Sequence, residues 1–364
     1  VSTALDTTLR HLAALVAFDT QNPPRAIGTG GIFDYLRTQL PGFAHTLTDH
    51  GAGAVSLLSV RGHPKLLFNV HLDTVPATPT WTRNPYELLV TQHRAIGLGA
   101  CDIKGAAAAL LTAAQVGDGD CAFLFTSDEE ANDARCVPAF LARPQSFEAV
   151  IVAEPTRAEA VLAHRGISSV RLRFAGRAGH ASGDNALADS ALHQAVIWGA
   201  RALDVVTGHA DQRFGGLTGL RFNIGRVEGG IKANVIAPSA EVRFGFRPLP
   251  SMSTDALLET FRACGETVPA EFEETFRGPP LPAGDIAAAE ARRLAARDLA
   301  DWLGLPIGNA VDFWTEASLF SAAGLTALVC GPGDIAQAHT ADEWIALDQL
   351  QRYTDTLIRL YGRA

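Results

Sequence analysis

The sequence of 364 residues predicts an open α/β domain with a mostly parallel sheet, interrupted by a separate α+β domain. Three observations predict it. Short apolar runs bounded by Gly, Pro, Asp or Asn alternate with helical segments over most of the chain, as strands covered on both faces do. From about Ile167 to Phe276 the pattern changes to strands of alternating polarity with two helices among them. A proline-rich linker, Gly278-Pro279-Pro280-Leu281-Pro282, then returns the chain to the first pattern. The expected division is 1–166 and 278–364 for the α/β body and 167–277 for the insertion.

The elements follow in order. Residues 1–18 carry apolar side chains at helical spacing, and the breaker cluster Thr20–Gly31 separates them from a second helical stretch, Ile32–Leu40. Strand-like runs lie at Val55–Val60, Leu66–Val70, Ala122–Thr126, Ala149–Ala153 and Ala327–Cys330, with an alanine-rich helix over Gly105–Val116 and a last helix over Gln349–Tyr361. Within the insertion, strands are expected at Ser168–Phe174, Leu220–Arg226 and Ala240–Phe246. Its first helix carries Leu192, Val196, Gly199, Leu203 and Val206 at steps of four and three, a stripe fitted to packing on its own sheet.

Composition narrows the partners. At 47% hydrophobic and 19% charged the chain buries a sizeable core, and its net charge of -9 excludes a general affinity for nucleic acid or an anionic membrane. No apolar run approaches the roughly 18 residues that span a bilayer. Residues 1–18 lack the basic start and apolar stretch of a secretion signal. Five cysteines without a CxxC pair read as thiols, so the expected location is the cytoplasm. There is no GxSxG nucleophile motif, no third glycine after Gly97-Leu98-Gly99 and no phosphate-binding GKS or GKT.

Ligands gather beyond the carboxyl ends of strands in such sheets, and acids and histidines stand there. In His71-Leu72-Asp73 the first and third residues of an extended chain point to one side, so the Asp73 carboxylate can accept one ring N–H and free the other nitrogen for a metal. A glycine-rich loop, Gly97 to Gly105, delivers Asp102 just before a helix, where it also fits a cap. Ser127-Asp128-Glu129-Glu130 and Ala153-Glu154-Pro155-Thr156 close two strands, and His339 ends Gly331-Pro332-Gly333 to His339 after the last one. Each motif alone also fits an ordinary surface pair, turn or cap.

In this order and at these separations the five blocks resemble the co-catalytic zinc hydrolases that include acetylornithine deacetylase, carboxypeptidase G, succinyl-diaminopimelate desuccinylase and aminoacylase, over nearly the whole chain. The resemblance implies a metal-binding α/β domain with an inserted lid or dimerisation domain, and two divalent cations, zinc or cobalt. It makes His71 and Glu154 the terminal ligands of one cation, Glu130 and His339 those of the other, Asp102 the bridge and Glu129 the general base. Charge then closes, since two dications, three carboxylates and one hydroxide sum to zero. In the insertion, Gly176 to Ser182 resembles the lid motif whose histidine, here His180, steadies the oxyanion in the other subunit's site, which implies a homodimer that the stripe Leu192 to Val206 would help to form, the alternative to its packing on its own sheet. Asn234 and Arg247 resemble the substrate-binding pair.

The stretches Phe313–Ala317 and Gln337–Trp344 are most similar to the acetylornithine deacetylase branch, which implies removal of acetate from an N-acetylated amino acid of arginine biosynthesis. Departures are Leu98 in place of an arginine, no proline soon after His180, and Lys232 in the substrate-binding loop. A lysine at the pocket repels the ammonium of acetylornithine and tolerates a neutral ureido group, so N-acetyl-L-citrulline is the expected substrate; a solvent-facing Lys232 would remove that argument. Acetylornithine, and the peptides of a carboxypeptidase or dipeptidase, are the alternatives.

Overall fold

The computed structural model describes residues 3–130 and 134–361. The chain divides into two units. One runs up to Leu162, takes in Arg292–Asn309 and resumes at Thr315, and the other comprises Ala163–Ala291 and Ala310–Trp314.

The first unit holds a six-stranded sheet in the spatial order Ala44–Asp49, Val55–Arg61, Cys121–Thr126, Leu66–His71, Ala149–Pro155, Thr326–Gly331. The last four are mutually parallel and the first two are antiparallel additions at one edge. Cys121–Thr126 and Ala149–Pro155 are buried at every position, which is why they read as continuous apolar runs. Ala44–Asp49 escapes the sequence pattern because it is a half-exposed edge strand of small and polar residues. The alanine-rich helix Lys104–Val116 packs against Ala4–Val16 and Leu347–Tyr361. Its small side chains allow close approach, and Thr8 Oγ1 donates to Thr112 Oγ1 at 2.9 Å while lying 3.3 Å from Thr354 Oγ1, so one buried hydroxyl cluster ties the three helices. Helix Ala4–Val16 starts on a capping box in which Thr3 and Asp6 satisfy each other's amides, at 2.9 and 3.1 Å.

The second unit is an antiparallel sheet in the order Arg221–Gly229, Ser239–Arg247, Ile167–Ala175, Glu271–Gly278. Helices Ala191–Gly208 and Thr254–Arg262 cover one face, over a core of Val170, Leu172, Trp198, Phe244, Phe246 and Phe261. The fourth strand, Glu271–Gly278, was not foreseen. Its one core-facing aromatic, Phe272, is flanked by so many charges that the segment reads as solvated, which suits an edge.

Two expectations are corrected here. The proline-rich linker belongs to the second unit rather than bounding it: His164 and Leu281 exchange backbone hydrogen bonds at 2.9 and 3.1 Å, and Trp314 Nε1 donates to the Pro279 carbonyl at 3.0 Å. The predicted stripe of helix Ala191–Gly208 does not pack on its sheet as a whole. The buried face is Ala191, Ala195, Trp198, Gly199 and Ala202, whereas Val196 and Leu203 are 67% and 55% exposed. Trp198 decides the rotation, because its ring is the largest apolar volume on the helix and its Nε1 donates to the Phe261 carbonyl at 2.6 Å.

Trp198→Ala therefore loses both packing and a buried hydrogen bond. It is expected to lower unfolding free energy by about 3–5 kcal/mol in urea denaturation, whereas Asp204→Asn, at an exposed polar position of the same helix, stays within about 0.5 kcal/mol of the parent.

Candidate metal centre

The parallel strands aim their last residues at one place. His71 ends Leu66–His71, Glu154 is the penultimate residue of the strand Ala149–Pro155, and Glu129 and Glu130 follow Cys121–Thr126. Asp102 stands in the loop before helix Lys104–Val116, and His339 follows Thr326–Gly331 after a single 3-10 turn. All belong to the first unit.

Their ligand atoms converge into three groups, each spanning no more than 4.8 Å: His71, Asp102 and Glu154; Asp102, Glu130 and His339; His71, Glu129 and Glu130. Asp102 is common to the first two. Its Oδ1 lies 3.1 Å from His71 Nε2, and its Oδ2 lies 3.4 Å from His339 Nε2. Glu154 is 3.7 Å from His71 Nε2, and Glu130 Oε1 is 3.0 Å from His339 Nε2. One carboxylate thus offers a separate oxygen to each of two histidine–glutamate pairs, the geometry that a bridging ligand needs. An all-nitrogen-and-oxygen donor set of this kind suits a borderline divalent cation.

Asp73 supports the set in a way that differs from expectation. His71 Nδ1 donates to the main-chain carbonyl of Asp73 at 3.0 Å, with the carboxylate farther off at 3.5 Å. The ring is fixed all the same, with Nε2 free to face Asp102. The Asp73 carboxylate is released for other work: it accepts from Asn22 Nδ2 at 2.9 Å and from the amides of Glu129 and Glu130 at 3.3 and 3.0 Å. It thereby pins the turn that carries both glutamates.

The electrostatics fit cations. Burial, reinforced by the repulsion of Glu130, Asp73 and Asp102 against the pull of His71, pushes Glu129 up to about 8. Burial likewise raises Glu130 and takes Glu154 well above the carboxylate range. Asp102 goes the other way: against burial, hydrogen bonds from His339 and His71 hold it low. The same bonds from Asp102 and Glu130 lift His339 to about 11. Several buried carboxylates that resist ionising together are the donor set that divalent cations relieve.

The remaining candidates lie in the second unit. His180 is exposed, with its Nδ1 2.7 Å from Ser182 Oγ. Its segment pairs with the Asn234 loop through a bridge between His180 and Val235 and a bond from the Ala181 amide to the Asn234 carbonyl at 3.2 Å, so these two are brought together. Lys232 and Asn234 are exposed. Arg247 stands on the open face of the sheet, in a trough of about 640 Å³ whose lining includes Ser169, Asn223, Arg243 and Gly245.

Comparison with known proteins identifies the lineage. Residues 67–363 match the peptidase family M20/M25/M40. The chain belongs to that family. Among M20 relatives, it is 70% identical over 357 residues, 98% of each chain, to the N-acetyl-L-citrulline deacetylase of Xanthomonas campestris pv. campestris. It is 28% identical to the acetylornithine deacetylase of Vibrio vulnificus, over 87% of this chain and 86% of that one. Solved M20-like folds include an aminopeptidase of Bacillus cereus, with a TM-score of 0.73, 18% identity and 98% of each chain covered. A dinuclear metal binding peptidase of the M20 family from Bacillus subtilis matches with a TM-score of 0.65 and 13% identity, covering 99% and 98% of the two chains. The mostly parallel sheet and the separate antiparallel one agree with that fold, and no helix among the described residues is long and apolar enough to cross a membrane.

Sequence reasoning missed several supports in this M20 chain. Asn22, which holds Asp73, was hidden in the breaker cluster, where nothing but its place before Pro23 and Pro24 marks it. Lys104, 1% exposed, donates Nζ to the Phe18 carbonyl at 3.0 Å beneath the site, and burial brings its pKa down to about 8. Glu316 is 1% exposed and burial holds its carboxyl well above the usual range. Asp128, read only as part of an acidic run, accepts the Cys136 amide at 2.8 Å and so caps helix Cys136–Leu141.

The sign of the pH dependence follows. In the folded chain Glu129, Glu130, Glu154 and His339 keep protons to higher pH than in the unfolded chain, so the fold binds more protons and loses stability as pH rises. Chelated protein is expected to melt progressively lower from about pH 5 to about pH 8, and added Zn²⁺ or Co²⁺ to flatten that slope in thermal denaturation.

Proposed function

We propose that the protein is a dinuclear metal amidohydrolase that removes acetate from N-acetyl-L-citrulline, giving L-citrulline for arginine biosynthesis. The observation that carries this reading is the 70% identity over 98% of the chain to an enzyme of that name, together with Asp102 shared between two histidine–glutamate pairs. Zinc or cobalt held by His71 and Glu154 on one side, Glu130 and His339 on the other and Asp102 between them would supply Lewis-acid activation of the amide carbonyl and of a water molecule.

The chain's own residues do the rest. Glu129 takes the proton of the attacking water at its carboxylate and returns it to the departing amide nitrogen. Asp73 keeps His71 in the tautomer that leaves Nε2 free. His180 of one subunit donates from its ring to the oxyanion developing in the other subunit's site, and Arg247 with Asn234 holds the substrate's carboxylate. Lys232 is exposed, so the preference for a neutral ureido side chain rests on the 70% identity to the citrulline deacetylase rather than on that lysine.

A homodimer accompanies this reading. The exposed Val196 and Leu203 of helix Ala191–Gly208 and the exposed Val227 of the edge strand Arg221–Gly229 supply an apolar surface for it. The five buried free thiols support a cytoplasmic location. Acetylornithine is the second reading, favoured by the relatives near 30% identity.

Acetate release from N-acetylcitrulline and N-acetylornithine, measured side by side on zinc- or cobalt-loaded protein with a chelated control, decides between them. Citrulline is expected to be released much faster, and chelation to abolish both; faster ornithine release reverses the substrate assignment, and cleavage of neither refutes deacetylation. Glu129→Gln is expected to retain the metals and lose about 10²–10⁴-fold in kcat, whereas near-parental turnover would remove Glu129 as the base.

A further inference from the structure

The loop that delivers Asp102 makes few side-chain contacts of its own. Gly99 sits at φ +77°, and a Cβ there would come within 2.7 Å of Thr74 Cγ2, so the loop must be glycine-rich and held from outside. What holds it is Glu343. This residue is 2% exposed; its Oε1 accepts from the amides of Cys101 at 2.8 Å and Asp102 at 2.9 Å, its Oε2 from Gly99 at 3.0 Å, and its main-chain carbonyl from Gly97 at 3.0 Å.

Glu343 is only four residues beyond His339, which faces Asp102 from the other side. The short segment between them is conformationally costly. His339 and Asp342 have φ of 59° and 52°, a region that residues other than glycine seldom occupy. Such a backbone persists where its surroundings over-determine it. Here the ties are the Glu343 bonds and Asp342, whose Oδ1 accepts the Thr82 amide at 3.1 Å and whose Oδ2 accepts its hydroxyl at 2.6 Å.

We propose that Glu343 is a positioning residue of the dinuclear centre. By gripping the amides of Gly99, Cys101 and Asp102 from the segment that carries His339, it sets the spacing between the shared carboxylate and the histidine of the Asp102–Glu130–His339 group. It thereby governs the affinity of that group for its cation more than that of the His71–Asp102–Glu154 group. The inference rests on the two-metal reading above and deepens it.

Glu343→Gln tests it, since glutamine keeps the volume but turns an amino group toward backbone donors. Chelated protein is titrated with Co²⁺, following the visible absorption of bound cobalt and competition with a chromophoric chelator. The parent is expected to take up two cobalt ions. In the variant the first ion is expected to bind as in the parent and the second about 10–100-fold more weakly, with kcat reduced and KM nearly unchanged. A role confined to the fold would lower the melting temperature of the chelated variant and leave both cobalt affinities and spectra as in the parent; that result overturns the proposal. Should Glu343→Gln fail to fold, Glu343→Asp keeps the charge, reaches fewer amides and is read the same way. A parent that takes up fewer than two cobalt ions overturns the two-metal reading and this proposal with it, whereas two ions bound equally well by parent and variant overturns the proposal alone.

Discussion

The structure turns on crowding negative charge where water cannot screen it. Asp73, Asp102, Glu129, Glu130 and Glu154 converge on one end of a sheet whose central strands are buried on both faces. Carboxylates in that setting repel one another, and only cations or protons make the arrangement tolerable. Nearly every support around the site answers that problem. His71 and His339 face the shared carboxylate, Asn22 and two main-chain amides satisfy Asp73, three main-chain amides satisfy Glu343, and Lys104 adds a buried positive charge below.

The same demand explains the architecture. A parallel sheet ends its strands side by side, so residues distant in sequence deliver donors to one spot without long loops between them. The antiparallel strands lie away from this work, at one edge of the sheet. The second unit has its own core of aromatic rings and its own solvent-facing sheet, on which Arg171, Arg173 and Arg243 pair with Glu241, Glu271 and Glu273.

How much of this the sequence discloses depends on what sort of signal a residue leaves. His71, Glu130, Glu154 and His339 follow apolar runs, where a sheet rule points to them, and Asp102 follows a glycine-rich loop. The buried strands are legible for the same reason, since an unbroken apolar run has few alternatives. Edge strands such as Ala44–Asp49 and Glu271–Gly278 are not, because half of each faces water and only neighbours make them strands. Residues that act by hydrogen bonding to main chain are equally hidden: the partners of the Glu343 carboxylate are amides, which carry no residue identity, and Asn22, which donates to the Asp73 carboxylate, sits in a breaker cluster that gives no sign of it. The rotation of helix Ala191–Gly208 was misread because a stripe of medium-sized apolar residues looks like a core face until Trp198 is weighed against it.

The strand order has a consequence for biosynthesis. Thr326 pairs with Ala149 across about 177 residues, and that interval contains the whole second unit. As the chain leaves the ribosome, the strand Ala149–Pro155 waits as an open edge while the inserted piece folds on its own. Long-range pairings of this kind are slow and expose unpaired strands meanwhile. His339 emerges later still, so a nascent chain holds an incomplete set of donors until its last strand has docked. The finished centre can assemble only on a protein whose most distant strand pairing in this sheet is already made.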